Sequence, residues 1–300
     1  MKPILILASL LITTNLFASS CCGGGSSSSM IITGDNQSEY SLSYSQRNDI
    51  GSTDSKGYST LNNQSVLDQQ SAYSFQFQHL FSDRLQAGIK TSFVEKQIRK
   101  QNRFENESGI GDIELQSSFE FLPEFTYSDY KPRGFVYLKG TIPNSNSLYN
   151  SNSAVFSDIR GSGLYTLSVG SFFIKHFSNL TLKAGSEVQH LFGKKFSGVN
   201  LDSYQKAYLP LGFAYSNQSW PVTLGVNSTF NYQTAKTLTG SVNSKSNVEY
   251  FWELGTFLNW SINREETLGL SFSDSSLIGK NINSSLYRAV GLSYTIADPI

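Results

Sequence analysis

The chain has 300 residues, of which 39% are hydrophobic and 15% are charged, and its formal net charge is zero. Without a surplus of basic residues it cannot replace the counterions of phosphate groups, which excludes a typical nucleic-acid-binding protein. The mean hydropathy is -0.25 although charges are few, so the polarity comes from Ser, Asn, Gln, Thr and Gly. That mixture is typical of a wall with one apolar face and one neutral polar face.

The first residues predict an export signal. Lys2 supplies the positive start, residues 4–17 the apolar segment, and Ala18-Ser19-Ser20 a small-residue cleavage site. The apolar segment is shorter than the roughly 20 residues of a spanning helix, and no later stretch approaches that length. We predict three parts of the chain: a signal peptide at 1–20 that is removed, a leader at 21–37, and a membrane β-barrel at 38–300.

The leader begins with the only two cysteines, Cys21 and Cys22, so the rest of the chain has no disulfide framework and no thiolate metal site. Ala18-Ser19-Ser20-Cys21 resembles a bacterial lipobox, except that Ala stands where Leu is usual. Lipid attachment at Cys21 and ordinary cleavage are both open alternatives. Residues 23–29 contain only Gly and Ser, which predicts a flexible leader.

From Ser38 onward, apolar and polar residues alternate with a period of two. In residues 222–233, Val222, Leu224 and Val226 lie on one side, with Thr223 and Asn227 on the other. This spacing indicates a strand with one apolar face and not an amphipathic helix. The pattern recurs over about twelve segments of about ten residues, long enough to cross a bilayer when tilted. They lie near residues 38–47, 66–81, 84–96, 110–122, 134–143, 162–175, 179–191, 204–216, 221–233, 247–262, 266–273 and 285–297.

The connections between these segments alternate between tight turns and long loops rich in Asn, Ser and Gly. Short periplasmic turns and long external loops are typical of bacterial outer-membrane barrels. The predicted fold class is therefore all-β, a single transmembrane antiparallel barrel of about twelve strands in a Gram-negative outer membrane, with both termini periplasmic. A soluble β-sandwich also alternates, but it needs neither an export signal nor alternating loop lengths.

Three segments carry a resemblance to a known family: residues 108–122, "YLKGTIPNS", and residues 160–177. They resemble the glycine-rich strand openings of the outer-membrane barrels assigned to the MetA pathway of phenol degradation, also called a "transporter" family. The resemblance implies a β-barrel and a modest expectation of transport. The leader and the C-terminus "TIADPI", which lacks a terminal aromatic residue, depart from a standard porin.

Strand parity predicts which side chains face the lumen. Charges of both signs share the interior, which favours pairing across strands over the single-sign ring of an ion-selective pore. The inward aromatic residues either fill a narrow barrel or form an apolar track for a solute. The predicted lumen-facing residues are Lys90, Lys139, Lys183, Lys206, Asp112, Glu114, Glu120, Glu187, Glu249, Glu253, Phe135, Tyr137, Tyr208 and Phe251.

The sequence "KHFSN" at residues 175–179 raises an enzymatic alternative, because it resembles the H-x-S-N signature of outer-membrane acyl hydrolases. His176 and Ser178, with Glu187 as the acid, would be the catalytic candidates. However, alternation places this stretch in a turn between two strands, where Ser and Asn are common for their local hydrogen bonds. His190 with Ser203 is a weaker second pair without a motif. We therefore predict no enzyme.

The sequence predicts the passive passage of a small, amphipathic or aromatic solute through a channel. The alternative is a structural or adhesive surface protein without an open pore. No P-loop or metal-ligand spacing occurs, so neither a cofactor nor a metal site is predicted. Expected partners are outer-membrane lipids and lipopolysaccharide, the barrel-assembly machinery and a small-molecule solute, with no nucleic acid.

Overall fold

The computed structural model describes residues 29–34, 36–63, 66–100, 103–123, 130–196, 198–217, 220–240 and 243–299. The predicted signal peptide and Cys21 lie outside them. Among the described residues, no helix is long and apolar enough to span a membrane. The strands are β1 (Asn36–Thr53), β2 (Ser59–Leu61), β3 (Leu67–Ser82), β4 (Leu85–Lys100), β5 (Arg103–Ile110), β6 (Ile113–Leu122), β7 (Arg133–Ile142), β8 (Thr166–Phe177), β9 (Leu180–Leu191), β10 (Lys194–Phe196), β11 (Val199–Leu201), β12 (Tyr204–Ser216), β13 (Val222–Gln233), β14 (Thr237–Gly240), β15 (Ser244–Lys245), β16 (Glu249–Ser261), β17 (Glu266–Asp274) and β18 (Ser285–Pro299).

The main sheet closes into a barrel because β18 pairs antiparallel with β1, from Asn36 opposite Pro299 to Ser52 opposite Ser285. Closure leaves no sheet edge exposed to hydrocarbon. Both β5 and β6 pair with β4, and together they form one wall strand interrupted at Gly111 and Asp112. The wall therefore has twelve antiparallel strands, which confirms the predicted fold class. They are β1, β3, β4, β5 with β6, β7, β8, β9, β12, β13, β16, β17 and β18.

The alternation of the sequence corresponds to the two faces of this wall. On β7, the outward Val136 and Leu138 are exposed, whereas the inward Phe135, Tyr137 and Lys139 are buried. The outer face carries a continuous band of exposed apolar side chains, a surface that is suited to a bilayer and costly in water. Exposed aromatic residues lie near its two borders, as in the interfacial girdles of membrane barrels. They are Phe121, Tyr215, Trp220 and Trp260 at one border, and Tyr165 and Tyr232 at the other.

The two ends of the barrel differ. One, the terminal end, contains Asn36 and Pro299 together with tight turns such as Ser178-Asn179. The other, the loop end, contains long connections, including residues 143–165. Two loop-end connections also build a small four-stranded sheet in the order β10-β11-β14-β15.

Several strand boundaries differ from the prediction: β1 ends at Thr53 and not at residue 47, and the start of β8 also differs. The strand expected at residues 162–175 begins at Thr166. Residues 161–163 instead belong to the long loop, where Gly163 has a φ of +64° that favours glycine. Ser162 binds the carboxylate of Asp112 through its backbone N–H and its hydroxyl. Hydrogen bonds to this loop therefore take the place of the first predicted ladder pairs.

Residues 30–34 precede β1 and lie inside the barrel. We call them the inner segment. Met30, Ile31 and Ile32 are almost fully buried although no strand pairs with them. The inner segment belongs to the leader that we predicted to be flexible at residues 21–37. In the described part of that leader, lumen side chains bind the backbone of residues 30–33. The same part includes Asn36, where β1 begins.

Candidate functional site in the lumen

Two glutamines bind the backbone of the inner segment. The Gln116 amide donates to the Met30 carbonyl at 2.6 Å and accepts from the Met30 N–H at 3.1 Å. The Gln86 amide binds Ile32 in the same way: it accepts from the Ile32 N–H at 2.6 Å and donates to the Ile32 carbonyl at 3.4 Å. In an extended peptide, residues two apart present their N–H and C=O groups to the same side. The two amides therefore bind Met30 and Ile32 as a neighbouring strand would.

An arginine binds the inner segment at Thr33. Arg133 donates to the Thr33 carbonyl at 2.7 Å. Its other guanidinium nitrogens bind both carboxylate oxygens of Glu120 at 2.8 Å. A bidentate pair of this kind fixes the guanidinium plane. Glu120, one of the predicted lumen residues, is buried, and its contact orients Arg133 toward the inner segment.

The side chain of Ile31 fills an apolar pocket of the lumen. It packs in one buried cluster with Phe135, Tyr137 and Ile174, and Phe172 packs against that cluster. Phe135 and Tyr137 are predicted lumen residues, and both are buried. The lumen thus contains a local apolar site in a wall whose other inward residues are mainly polar.

A buried ion pair lies beside this pocket. The Lys139 ammonium is 2.8 Å and 3.0 Å from the two carboxylate oxygens of Glu187, and the Tyr137 hydroxyl donates to the same carboxylate at 2.9 Å. The side chains of Lys139 and Glu187 are only 6% and 1% exposed. Two charges so far from water need each other and the tyrosine, because either one alone would be poorly solvated.

Gly170 makes the tyrosine contact possible. It lies on β8, opposite Tyr137 on β7 and opposite Glu187 on β9. A Cβ atom at this position would be 2.2 Å from Cζ of Tyr137, so the ring crosses β8 in the space that a side chain would need. The missing side chain therefore lets Tyr137 reach over one strand to Glu187.

Other predicted lumen residues form separate contacts along the wall. Glu253 accepts a 2.7 Å hydrogen bond from Tyr287, whose ring lies edge-on to Phe251. Tyr208 donates to Gln189 at 3.2 Å. Near the loop end, Glu249 is 3.7 Å from Lys236. Within the part of the chain that the structure describes, the lumen charges are thus divided among several local pairs and do not form a ring of one sign.

The remaining predicted lysines and Glu114 are half-buried on the inner face. Lys90 is opposite both Glu114 and the buried Gln76. Lys183 is opposite the buried Ile174. Lys206 is opposite Gln189 and Gln233, which both face the interior. These four side chains therefore share the inner face with their cross-strand partners.

Asp112 is another of the predicted lumen-facing residues. It lies at the loop-end mouth, in the interruption between β5 and β6, and its carboxylate holds the loop 143–165. The backbone N–H groups of Asn144 and Ser145 donate to it at 3.1 and 3.3 Å, and the Ser145 hydroxyl at 2.6 Å. These hydrogen bonds satisfy the carboxylate at the mouth of the barrel.

The same loop contains a second organising carboxylate, Asp158. Burial raises the pKa of Asp158, but hydrogen bonds from the Ser151 hydroxyl, the Asn152 N–H and the Asn146 amide together bring it below its usual value. Hydrogen bonds to the charged form favour that form. Asp158 is therefore charged at neutral pH, the form that accepts these hydrogen bonds.

A second apolar cluster covers part of the loop-end mouth. Leu191 and Tyr204 come from the inner face of the wall, Phe196 and Leu201 from the small sheet, and Leu164 from the long loop. All five are buried. The small sheet thus packs on the lumen wall near the loop end, and the inner segment occupies the lumen near the terminal end.

The stretch "KHFSN" is a hairpin end. His176 and Phe177 belong to β8, Ser178 and Asn179 form the turn, and Ser178 has a φ of +49°. His176 shares a 2.9 Å hydrogen bond with Thr181, and the Ser178 hydroxyl contacts the Asn179 side chain at 3.5 Å. Glu187, which binds Lys139 and Tyr137, is six residues beyond Thr181, or ~20 Å along the strand. These residues do not form a Ser-His-acid triad.

Sequence reasoning missed Gln86 and Gln116, because only charged and aromatic inward positions were selected. It missed Arg133 because the predicted strand began at residue 134, one residue after it. Both glutamines lie on the inward parity of their strands, so the alternation that identified Lys90 and Glu114 also contained them. The apolar Met30-Ile31-Ile32 directly after a run of Gly and Ser was the available signal for the inner segment.

Comparison of the sequence with known families finds no match. A comparison with curated proteins finds none either. Among solved structures, the COG4313 outer membrane channel from Pseudomonas putida F1 is similar, with a TM-score of 0.70 and 10% identity over 87% of this chain and 95% of that one. The transport unit of the autotransporter AIDA-I from Escherichia coli has a TM-score of 0.51 and 7% identity over 87% and 90%. The β domain of the Bordetella autotransporter BrkA has a TM-score of 0.50 and 11% identity over 88% and 100%. At these identities the likeness shows the fold of an outer-membrane barrel.

Proposed function

We propose that this chain is an outer-membrane channel for the passive passage of a small apolar or amphipathic solute. The observation that carries the proposal is an apolar pocket inside a closed barrel. It is lined by Phe135, Tyr137, Phe172 and Ile174 and holds the side chain of Ile31. Ligand sites are typically apolar concavities with a few polar groups at their border, and Tyr137, Lys139 and Glu187 provide that border.

The outer apolar band supports a location in the outer membrane, where lipids and lipopolysaccharide would contact it. Tight turns at the terminal end and long loops at the other support the usual orientation of bacterial barrels, with both termini in the periplasm. The barrel-assembly machinery would insert such a chain. The likeness to an outer membrane channel agrees with this proposal at the level of the fold.

A structural or adhesive surface protein is the second candidate. The observation that favours it is that both ends of the lumen are occupied. The inner segment lies toward the terminal end, and the second apolar cluster, which includes Leu191 and Phe196, lies at the loop end. A barrel whose interior stays filled would hold loops at the surface without passing a solute.

Planar-bilayer recording separates the two candidates. The purified wild type and a variant that lacks residues 30–33 are reconstituted at matched protein amounts, with the Gln189→Ala variant as a lumen control that leaves the inner segment intact. We expect conductance steps from the deletion variant, with smaller or rarer steps from the other two. No conductance from any of them, with correctly folded barrels, would favour the structural protein.

A further inference from the structure

We propose that the lumen near the loop end holds a binding site for a small organic carboxylate that carries a single negative charge. The donors of this site are Lys206, Gln233 and Lys236, and Glu249 lies beside them. We call these four residues the anion site. The inference rests on the proposed channel function and names an amphipathic monoanion as its solute. It joins three observations: the level at which the residues lie, a buried amide without a partner, and the balance of charge.

The register of three neighbouring strands brings the anion site together. Lys206 of β12 is opposite Gln233 of β13, and Gln233 is opposite Glu249 of β16. The three residues therefore lie at one level of the wall, about 5 Å apart from strand to strand. Lys236 follows the end of β13, and its ammonium is 3.7 Å from Glu249 and 5.4 Å from the centre of the Tyr204 ring. Since Tyr204 belongs to the inner face of the wall, Lys236 is directed toward the lumen.

Gln233 provides a buried hydrogen-bond donor that is not satisfied. The residue is 8% exposed, and its side-chain nitrogen has no hydrogen-bond partner among the described residues. Buried polar groups in proteins are nearly always paired, because an unpaired one has lost its contact with water. A ligand that accepts a hydrogen bond at this level of the wall would satisfy the amide.

Lys206 supplies a positive charge that the wall does not neutralise. In the part of the chain that the structure describes, its ammonium forms no ion pair, although it lies close enough to Lys236 and Glu249 to feel both of their charges. The two lysines thus share one carboxylate, which leaves the anion site with one positive charge in excess. A monoanion balances that excess, whereas the second charge of a dianion would be desolvated near Glu249 without a counter-charge.

The surroundings favour an organic carboxylate over a simple ion. Lys206 and Gln233 both present N–H donors, and the two oxygens of a carboxylate can accept from both of them. Tyr204 and Tyr208 lie on either side of Lys206 on the same face of β12, because residues two apart on a strand share a face, and both are buried. A short aliphatic chain on the carboxylate would contact these two rings.

Butyrate is the probe for the anion site. Its binding is measured by ligand-observed NMR with the full chain in nanodiscs, at neutral pH and at an ionic strength held constant with sodium chloride. We expect saturable binding of butyrate, and binding of the uncharged butyramide that is at least about tenfold weaker, because butyramide cannot form the charge-assisted hydrogen bond with Lys206.

Three variants assign the binding to the named donors. Lys206→Met should weaken butyrate binding about tenfold, and Gln233→Leu about threefold, since a neutral hydrogen bond contributes less than a charged one. Lys183→Met is the matched control and should leave butyrate binding unchanged. Lys183 is also an inward lysine, but it is opposite Gly212, six residues along β12 from Lys206.

Glu249→Gln tests the balance of charge through a gain of binding, which a misfolded barrel would not produce. In the wild type, the dianion succinate should bind at least about tenfold more weakly than butyrate, because its second charge lies near Glu249. In the Glu249→Gln variant, butyrate should bind several-fold more tightly, and succinate should bind about as well as butyrate.

The possible results have separate meanings. Equal binding of butyrate and butyramide overturns the anion site, and so does a loss in Lys183→Met as large as that in Lys206→Met. Succinate binding that Glu249→Gln leaves unchanged overturns it as well. Conductance in planar bilayers without butyrate binding would overturn the site and retain the channel. Butyrate binding with the expected variant effects, in a barrel that conducts no ions, would retain the site and overturn the channel function.

Discussion

The Tyr137 hydroxyl donates a 2.9 Å hydrogen bond to Glu187 across an intervening strand, where Gly170 separates the two residues. The contact joins the apolar pocket around Ile31 to the buried Lys139–Glu187 pair. The absence of a side chain at Gly170 on β8 thus allows Tyr137 of β7 to reach the Glu187 carboxylate of β9.

Replacing Gly170 by alanine should destabilise the barrel by about 1–3 kcal/mol, because the new methyl group would overlap the Tyr137 ring and displace it from Glu187. Gly140→Ala is the matched control on the adjacent strand, since a Cβ there would have its nearest neighbour at 4.0 Å. Urea unfolding from lipid vesicles measures both. Equal stability of the two variants would contradict the role assigned to Gly170.

Removing one member of the buried ion pair should be costly. Lys139→Met or Glu187→Gln should each lower the free energy of unfolding by about 3–5 kcal/mol, because the remaining partner keeps a buried, poorly compensated charge or donor. The double variant should lose less than the sum of the two single losses.

Lys100→Met serves as the comparison for the ion pair, because Lys100 is 47% exposed and 3.8 Å from Asp68. Its loss should cost at most about 1 kcal/mol. Urea unfolding under the same conditions compares all four variants. Additive losses at Lys139 and Glu187 would show that the two side chains contribute independently.

The outer apolar band should respond to charge as a lipid-facing surface does. Leu211, 53% exposed near the middle of β12, is predicted to be in the hydrocarbon. Leu211→Arg should cost about 2–4 kcal/mol in a bilayer. Leu61→Arg, in the loop-end strand β2 and 68% exposed, should change stability little. Vesicle unfolding of both tests the assignment, which similar losses would contradict.

The loop 143–165 should lose protection in acid. The folded pKa of Asp158 lies below the ordinary value of 3.8, so its stabilising contribution is complete above that value and is lost as the pH falls through the folded pKa. Amide hydrogen exchange in the loop, corrected for its intrinsic pH dependence, should increase as the pH falls below about 4.

Asp158→Asn provides the control for the loop, because an amide puts a donor where the Asn152 N–H and the Asn146 amide now donate. Its loop should exchange faster already at neutral pH, and its acid response should be weaker. An acid response of unchanged size in this variant would assign the effect to another group.

Phospholipid hydrolysis should not depend on Ser178. The Ser178 hydroxyl contacts the Asn179 side chain in a hairpin turn, and Glu187 binds Lys139 and Tyr137. Wild type and Ser178→Ala should therefore release fatty acid from phospholipid vesicles at the same background rate. Release that disappears in the Ser178→Ala variant would restore the acyl hydrolase alternative.

The positions of the wall strands were predictable because alternation is a local property. Residues 222–233 show it in the sequence, and β13 spans Val222–Gln233. The inward direction of Lys139 and Glu187 followed from the same parity. Their contact did not, because it depends on strand register and on the missing side chain at Gly170, which parity does not report.

By itself, the sequence determined a twelve-stranded wall with an apolar exterior, since a period of two fixes which side of a strand each residue faces. Only the tertiary structure decided what lies within the wall. Met30 and Gln116 form hydrogen bonds although 86 residues of chain separate them. The Asp112 carboxylate accepts a hydrogen bond from the Asn144 N–H, which is 32 residues away. Such contacts depend on the closure of the barrel, which brings distant strands around one lumen, and a local pattern does not contain that geometry.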